Sequence, residues 1–188
     1  MANDSKTKDK KISWSGLKAE LSKCNPTQLL ELISALYSLS TENKRFIEAK
    51  VVNDDSVLEK YREIVSRSIS TEAPWLKSHQ LSLKTAKKAI SDYKKATGNM
   101  AGVIDLMIYY VECGNQFTNA FGEIDENFYS SMESMFENAL KLMETNNYPD
   151  KYVKRLEGIV QDARDIGWGY HDNLKHWFNK WQEQKSFL

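Results

Sequence analysis

The run MAGVIDLMIYYVEC, Met100–Cys113, is apolar on almost every side. A helix of that composition offers no polar face to water, so the rest of the chain has to surround it. Gly98 stops the helix before it, and Gly114 marks its expected end. Everything else in the sequence is read as material to pack around this segment.

That material is helical. NPTQLLELISALYSL places Asn25 as an N-cap and Pro26 at the first helical position, where a missing N–H costs nothing. Leu29, Leu32, Ile33 and Leu36 then recur at helical spacing. STENKRFIEAKV follows after a gap short enough for an antiparallel αα-hairpin. Asp54 or Asp55 can cap SVLEKYREIVSRSI, whose buried side is Leu58, Tyr61, Ile64, Val65 and Ile69. A helix over about 81–97 ends at Gly98, and a short one is expected to end near Gly122. Asp125 caps a long helix with Phe128, Met132, Met135, Phe136, Ala139, Leu140 and Met143 on one face. PDKYVKRLEGIVQDARDI and YHDNLKHWFNKWQEQ supply the last two, separated by a Gly-Trp-Gly corner.

The fold class is therefore all-α: a compact bundle of about nine or ten helices built from αα-hairpins. Three prolines and eight glycines in 188 residues are too few for the turns of an all-β chain. Residues 1–12 read as a disordered leader and 13–188 as a single helical domain. Within it, subbundles 13–72 and 80–188 flank a linker at 73–79 that contains a solitary His79. No residue signature recurs at a fixed period, which favours an irregular bundle over a solenoid.

Charge and cysteine content narrow the function classes. Lys+Arg and Asp+Glu number 26 each, so no global field draws nucleic acid or membrane. The charge is polarised, with a net of +6 over residues 1–100 and −6 over 101–188. Cys24 and Cys113 have no metal-site spacing, which suits a reducing, cytoplasmic setting. No stretch approaches the about 18 apolar residues of a membrane span, and the polar, lysine-rich start is no signal peptide.

Four stretches are candidates for function. DIGWGYHD gathers Trp168, Tyr170, His171 and Asp172, with His176 one turn on. Its structural reading makes Gly167 a helix C-cap, Trp168 a buried anchor beside it, and Asp172–His176 an ion pair at helical spacing. Its functional reading is an acid/base or metal-ligand corner, but no HExxH and no third ligand accompany it. Lys84, Lys87, Lys88, Lys94 and Lys95 line one side of a helix and would suit a phosphate backbone, although no arginine or interleaved aromatic joins them. Glu126, Glu133, Glu137 and Glu144 form an acidic stripe that would meet the lysines, a second copy or a basic partner. Trp177, Phe178 and Trp181 make an aromatic face on the last helix, suited to the core or to an interface. There is no GxSxG, GxGxxG or GxxxxGK[ST], so no catalytic residue, cofactor site or metal site is assigned.

KKAISDYKKATGN, DLMIYYVECGNQFTNAFGEIDENFYSSMESMFENALKL and DIGWGYHD, in this order, resemble a bacterial all-helical family, the domain of unknown function numbered 6155. NPTQLLELISALYSLSTENKRFIEAKV is similar to the same family's opening helix pair, so the resemblance runs through nearly all of the chain after the leader. It implies a soluble, all-helical bacterial protein and supplies no activity, substrate or catalytic residue. The residues point to a non-enzymatic helical protein-interaction module whose partner is another protein or a second copy. The alternatives are a nucleic-acid-associated protein using the lysine stripe, and a hydrolase or metal-dependent enzyme at His171, Asp172 and His176.

Overall fold

The computed structural model describes residues 13–52, 54–69, 81–146 and 150–185. The expected leader and the 73–79 linker with His79 lie outside the described residues. Nine α-helices and one 3-10 turn, with no strand, make up the described chain. They are α1 (Trp14–Leu21), α2 (Pro26–Leu39), α3 (Thr41–Val52), α4 (Asp55–Ile69), α5 (Leu83–Thr97), α6 (Met100–Phe121), α7 (Glu126–Thr145), the turn Asp150–Tyr152, α8 (Val153–Asp162) and α9 (Tyr170–Lys185). The chain divides into two units, Met1–Ile47 and Glu48–Leu188. The 188-residue protein is thus all-α.

In the first unit, Asn25 and Gln28 form the capping box that the Asn-Pro start implies: Gln28 N–H donates to Asn25 Oδ1 and Asn25 N–H to Gln28 Oε1, both at 2.9 Å. Asn43 Nδ2 donates to the Leu36 carbonyl at 3.0 Å, tying the start of α3 to the end of α2. Neither α1 nor α2 has a buried side chain.

The second unit is organised around α6. This helix packs on α4, α5, α7 and α8, while α4 also meets α5 and α9 meets α7 and α8. A helix touched by four others is a bundle core, not one member of a stack that meets only its sequence neighbours. Val103, Ile104, Leu106, Ile108, Tyr110 and Val111 are all at most 1% exposed. Each such side chain contributes about 1.5–3 kcal/mol by leaving water. Asn99 caps α6 by accepting from Gly102 N–H, and the left-handed Gly98 (φ +67°) closes α5 just before it.

Gly114 does not end this helix. α6 is 22 residues long in all, Met100–Phe121, and absorbs the short helix expected before Gly122. The reason lies across the bundle: a Cβ at Gly114 would collide with the Met132 thioether of α7. This glycine serves a close helix–helix approach, and the stop falls at Gly122 (φ +91°).

The DIGWGYHD corner also differs from its structural reading. α8 ends at Asp162 with Ala163 as its cap, and the chain turns before it reaches Gly167. Trp168 is not a buried anchor; it is 58% exposed and carries the left-handed φ of +62° itself, followed by Gly169 at +70°. Ile166 and Tyr170 do the anchoring, at 6% and 1% exposure. A Cβ at Gly167 would meet only the end of the exposed Glu123 side chain, which can swing aside.

Candidate functional site

α7 and α9 bring two of the sequence-derived surfaces together. Asp125 Oδ1 accepts from Phe128 N–H at 2.9 Å and sets the start of α7, so the period of 3.6 places Phe128, Met132, Phe136, Ala139 and Met143 inward. The same period leaves Glu126 and Glu144 exposed and Glu133 and Glu137 half-buried along the border of that face. α9 buries Tyr170, Leu174, Phe178 and Trp181, with Phe178 and Trp181 stacked at 6.0 Å. Asn173 Nδ2 donates to Glu133 Oε1 at 2.8 Å, joining the two helices at one end. Beyond that bond they frame a groove of about 170 Å³. Leu140 and Trp181 form its apolar part, Trp177 stands at its side, and Glu137, Glu144, Lys141 and Lys180 edge it. Glu137 is ion-paired with Lys141 at 2.7 Å.

The corner residues are dispersed around the start of α9. His171 Nδ1 lies 3.3 Å from Asp172 Oδ1, so the close contact joins sequence neighbours instead of Asp172 and His176. Asp172 is exposed, as is His176. Tyr170 points the other way, into the core, where its hydroxyl donates to Asn115 Oδ1 at 2.8 Å. Burial pushes the Tyr170 phenol far above its ordinary range. Asn115 Nδ2 passes the chain on to the Ile159 carbonyl at 2.8 Å, so the three groups tie α9, α6 and α8. Among the described residues no group of three or more His, Cys, Asp or Glu is placed to hold a metal ion.

All five stripe lysines of α5 are exposed, and Lys88 is paired with Asp92 at 2.7 Å. No ion pair joins this stripe to the acidic one among the described residues.

One charged cluster was not foreseen. Asp105, on the apolar helix α6, is 6% exposed and sits between two guanidinium groups. Arg62 of α4 donates Nε–H to Asp105 Oδ1 at 2.7 Å, and Arg155 of α8 donates Nη1–H to Oδ2 at 2.6 Å. Arg155 also grips both oxygens of Glu112 at 2.7 Å. Burial by itself would lower the Arg155 pKa, but the Glu112 and Asp105 carboxylates more than offset it and hold the guanidinium firmly charged. The signal was present in MAGVIDLMIYYVEC: a lone aspartate inside an apolar helix requires a buried partner. A cavity of about 150 Å³ opens beside Asp105, with Asp54, Asp55, Tyr93, Asn99 and Lys151 among its walls. Asp54 is held below the usual carboxylate range, chiefly by the Ser56 hydroxyl. Burial raises the Tyr93 phenol.

Among the described residues no helix is long and apolar enough to cross a membrane. No curated protein and no solved structure matches the chain. The sequence profile described as family of unknown function DUF6155 does match, over residues 12–182. A match of that extent, in a chain whose described part has helices and no strand, places the protein in the DUF6155 family.

Proposed function

We propose that the protein is a non-enzymatic helical interaction module and that the α7–α9 groove is its partner surface. One observation carries this reading: the acidic stripe and the tryptophan helix, separate in sequence, border the same groove through Glu137, Glu144, Trp177 and Trp181. Tryptophans beside a groove, ringed by charge, are the usual anchors of helix and peptide recognition. The groove has room for one or two anchor side chains, against the roughly 300–1,000 Å³ of sites that enclose a whole small molecule. The partner is a protein segment with an apolar anchor for Leu140, Trp177 and Trp181, and a basic neighbour for Glu144. The Asp105–Arg155–Glu112 network favours a non-enzymatic role, because these groups saturate one another. Two cysteines without metal-site spacing, Cys24 half-buried and Cys113 buried, support a reducing bacterial cytoplasm as the setting.

The test is affinity capture from a native lysate, with and without nuclease, using wild type and a Trp177→Ala/Glu144→Lys variant. A protein captured in both conditions by wild type and lost with the variant supports the groove. Capture that is unchanged in the variant overturns it.

Exposure of all five lysines on α5 favours nucleic acid as the second reading. It requires partners that vanish with nuclease and an affinity that falls steeply with salt.

A further inference from the structure

The first unit exposes an apolar surface of unusual size. On α2, Leu30 is 66% exposed, Leu39 74%, and Leu32, Ile33 and Leu36 43–44%. At 100° per residue these five, with Leu29 and Tyr37, cover about half of the helix circumference. Thr27, Gln28, Glu31, Ser34 and Ser38 hold the other half. In the same unit Trp14 is 70% exposed, and Leu17 and Phe46 are each 43% exposed. Folded monomers rarely leave so continuous an apolar helix face as that of α2 in water.

We infer that the apolar face of α2 is a self-association surface whose occupant is α2 of a second copy of this chain. Charge and area both favour a copy. α2 has one charged residue, Glu31, at the centre of its polar arc. Residues bordering the stripe choose partner helices by their charges. Here the borders are Gln28, Ala35, Thr27 and Ser34, which neither select a charged foreign helix nor repel an identical one. A lipid surface fits less well, since interfacial helices carry Lys and Arg on the polar face and this one carries none. The five exposed α2 side chains present on the order of 500 Å² per copy, so two copies reach about the 1,000 Å² that a specific interface has to clear. A two-fold arrangement is the commonest closed solution for two identical faces. With its axis at the middle of α2, Ile33 of one copy meets Ile33 of the other.

This inference is independent of the α7–α9 groove. It is tested on the full chain by sedimentation equilibrium over a range of micromolar concentrations. Wild type is expected at twice the chain mass, and Ile33→Glu/Leu36→Glu at half the wild-type value with unchanged helical circular dichroism. The Trp177→Ala/Glu144→Lys variant should stay dimeric, which separates failure of this surface from failure of the groove. If the glutamate variant does not fold, Ile33→Cys in a Cys24→Ser background decides, because mild oxidation has to give a covalent dimer. A monomeric wild type, a dimer indifferent to the glutamates, or no cross-link at position 33 overturns the inference. So does a wild type that is monomeric in water and sediments with anionic vesicles, which would make α2 a lipid-binding helix.

Discussion

Arg155 reaches Asp105 across 50 residues of sequence, Nη1 to Oδ2 at 2.6 Å, and so neutralises a buried carboxylate on the central helix α6. With Arg62 on its other oxygen, Asp105 ties α4, α6 and α8 together. Replacing Arg155 by methionine keeps the packing volume but takes the guanidinium from Glu112 and leaves the buried Asp105 with Arg62 alone. The expected loss is about 3 kcal/mol of unfolding free energy. Urea denaturation of Arg155→Met measures it, and a change below about 1 kcal/mol would show that the network contributes no more than a surface pair.

Tyr110 and Tyr170 give the protein an alkaline weakness. Burial raises the Tyr110 phenol from 10.0 to about 12, and Tyr170 is raised further. Below pH 10 both states hold these protons and stability is unaffected. Above pH 10 the unfolded chain releases them while the native one does not. Stability therefore falls by about 1.4 kcal/mol per pH unit for each tyrosine as the pH rises toward the native pKa. Tyr110→Phe loses the 2.6 Å hydrogen bond with Ser131, yet it should make the decline between pH 10 and about 12 shallower. Denaturation across that range reads the slope, and an unchanged slope would refute the assignment.

Two helical glycines should respond oppositely to alanine. Gly158, in the middle of α8, has open space where a Cβ would stand, so Gly158→Ala should stabilise by about 1 kcal/mol. Gly102 lies against the Tyr93 ring and hydroxyl, so Gly102→Ala should destabilise by about 1–3 kcal/mol through overpacking. Thermal unfolding of the pair checks the signs, and a stabilised Gly102→Ala would mean that Tyr93 moves aside freely.

Trp168 holds a left-handed backbone that a non-glycine residue adopts at an energetic cost, and its ring remains 58% exposed. Trp168→Gly should therefore leave stability unchanged or raise it by up to about 1 kcal/mol. A clear loss of stability would show that the ring is a packing element after all. A neutral or stabilised variant would fit a tryptophan retained for what it touches outside the chain.

Local chemistry was legible in the residues, and long-range chemistry was not. Asn25–Pro26, Gly98 and Asp125 mark helix ends in the structure as they do in the sequence, because a cap is satisfied within a few residues of itself. Gly114 was misread because its reason, the Met132 thioether, lies on another element, and Gly167 because α8 already ends at Asp162 with Ala163 as its cap. The stripe on α2, the acids of α7 and the aromatics of α9 were visible as helix faces from their period alone. Only the tertiary structure decided that the acids and tryptophans border one groove, that the α2 stripe stays exposed, and that Asp105 has two arginines. Periodicity fixes which side of a helix a residue occupies. What that side meets depends on packing against segments tens of residues away, and no local pattern encodes it.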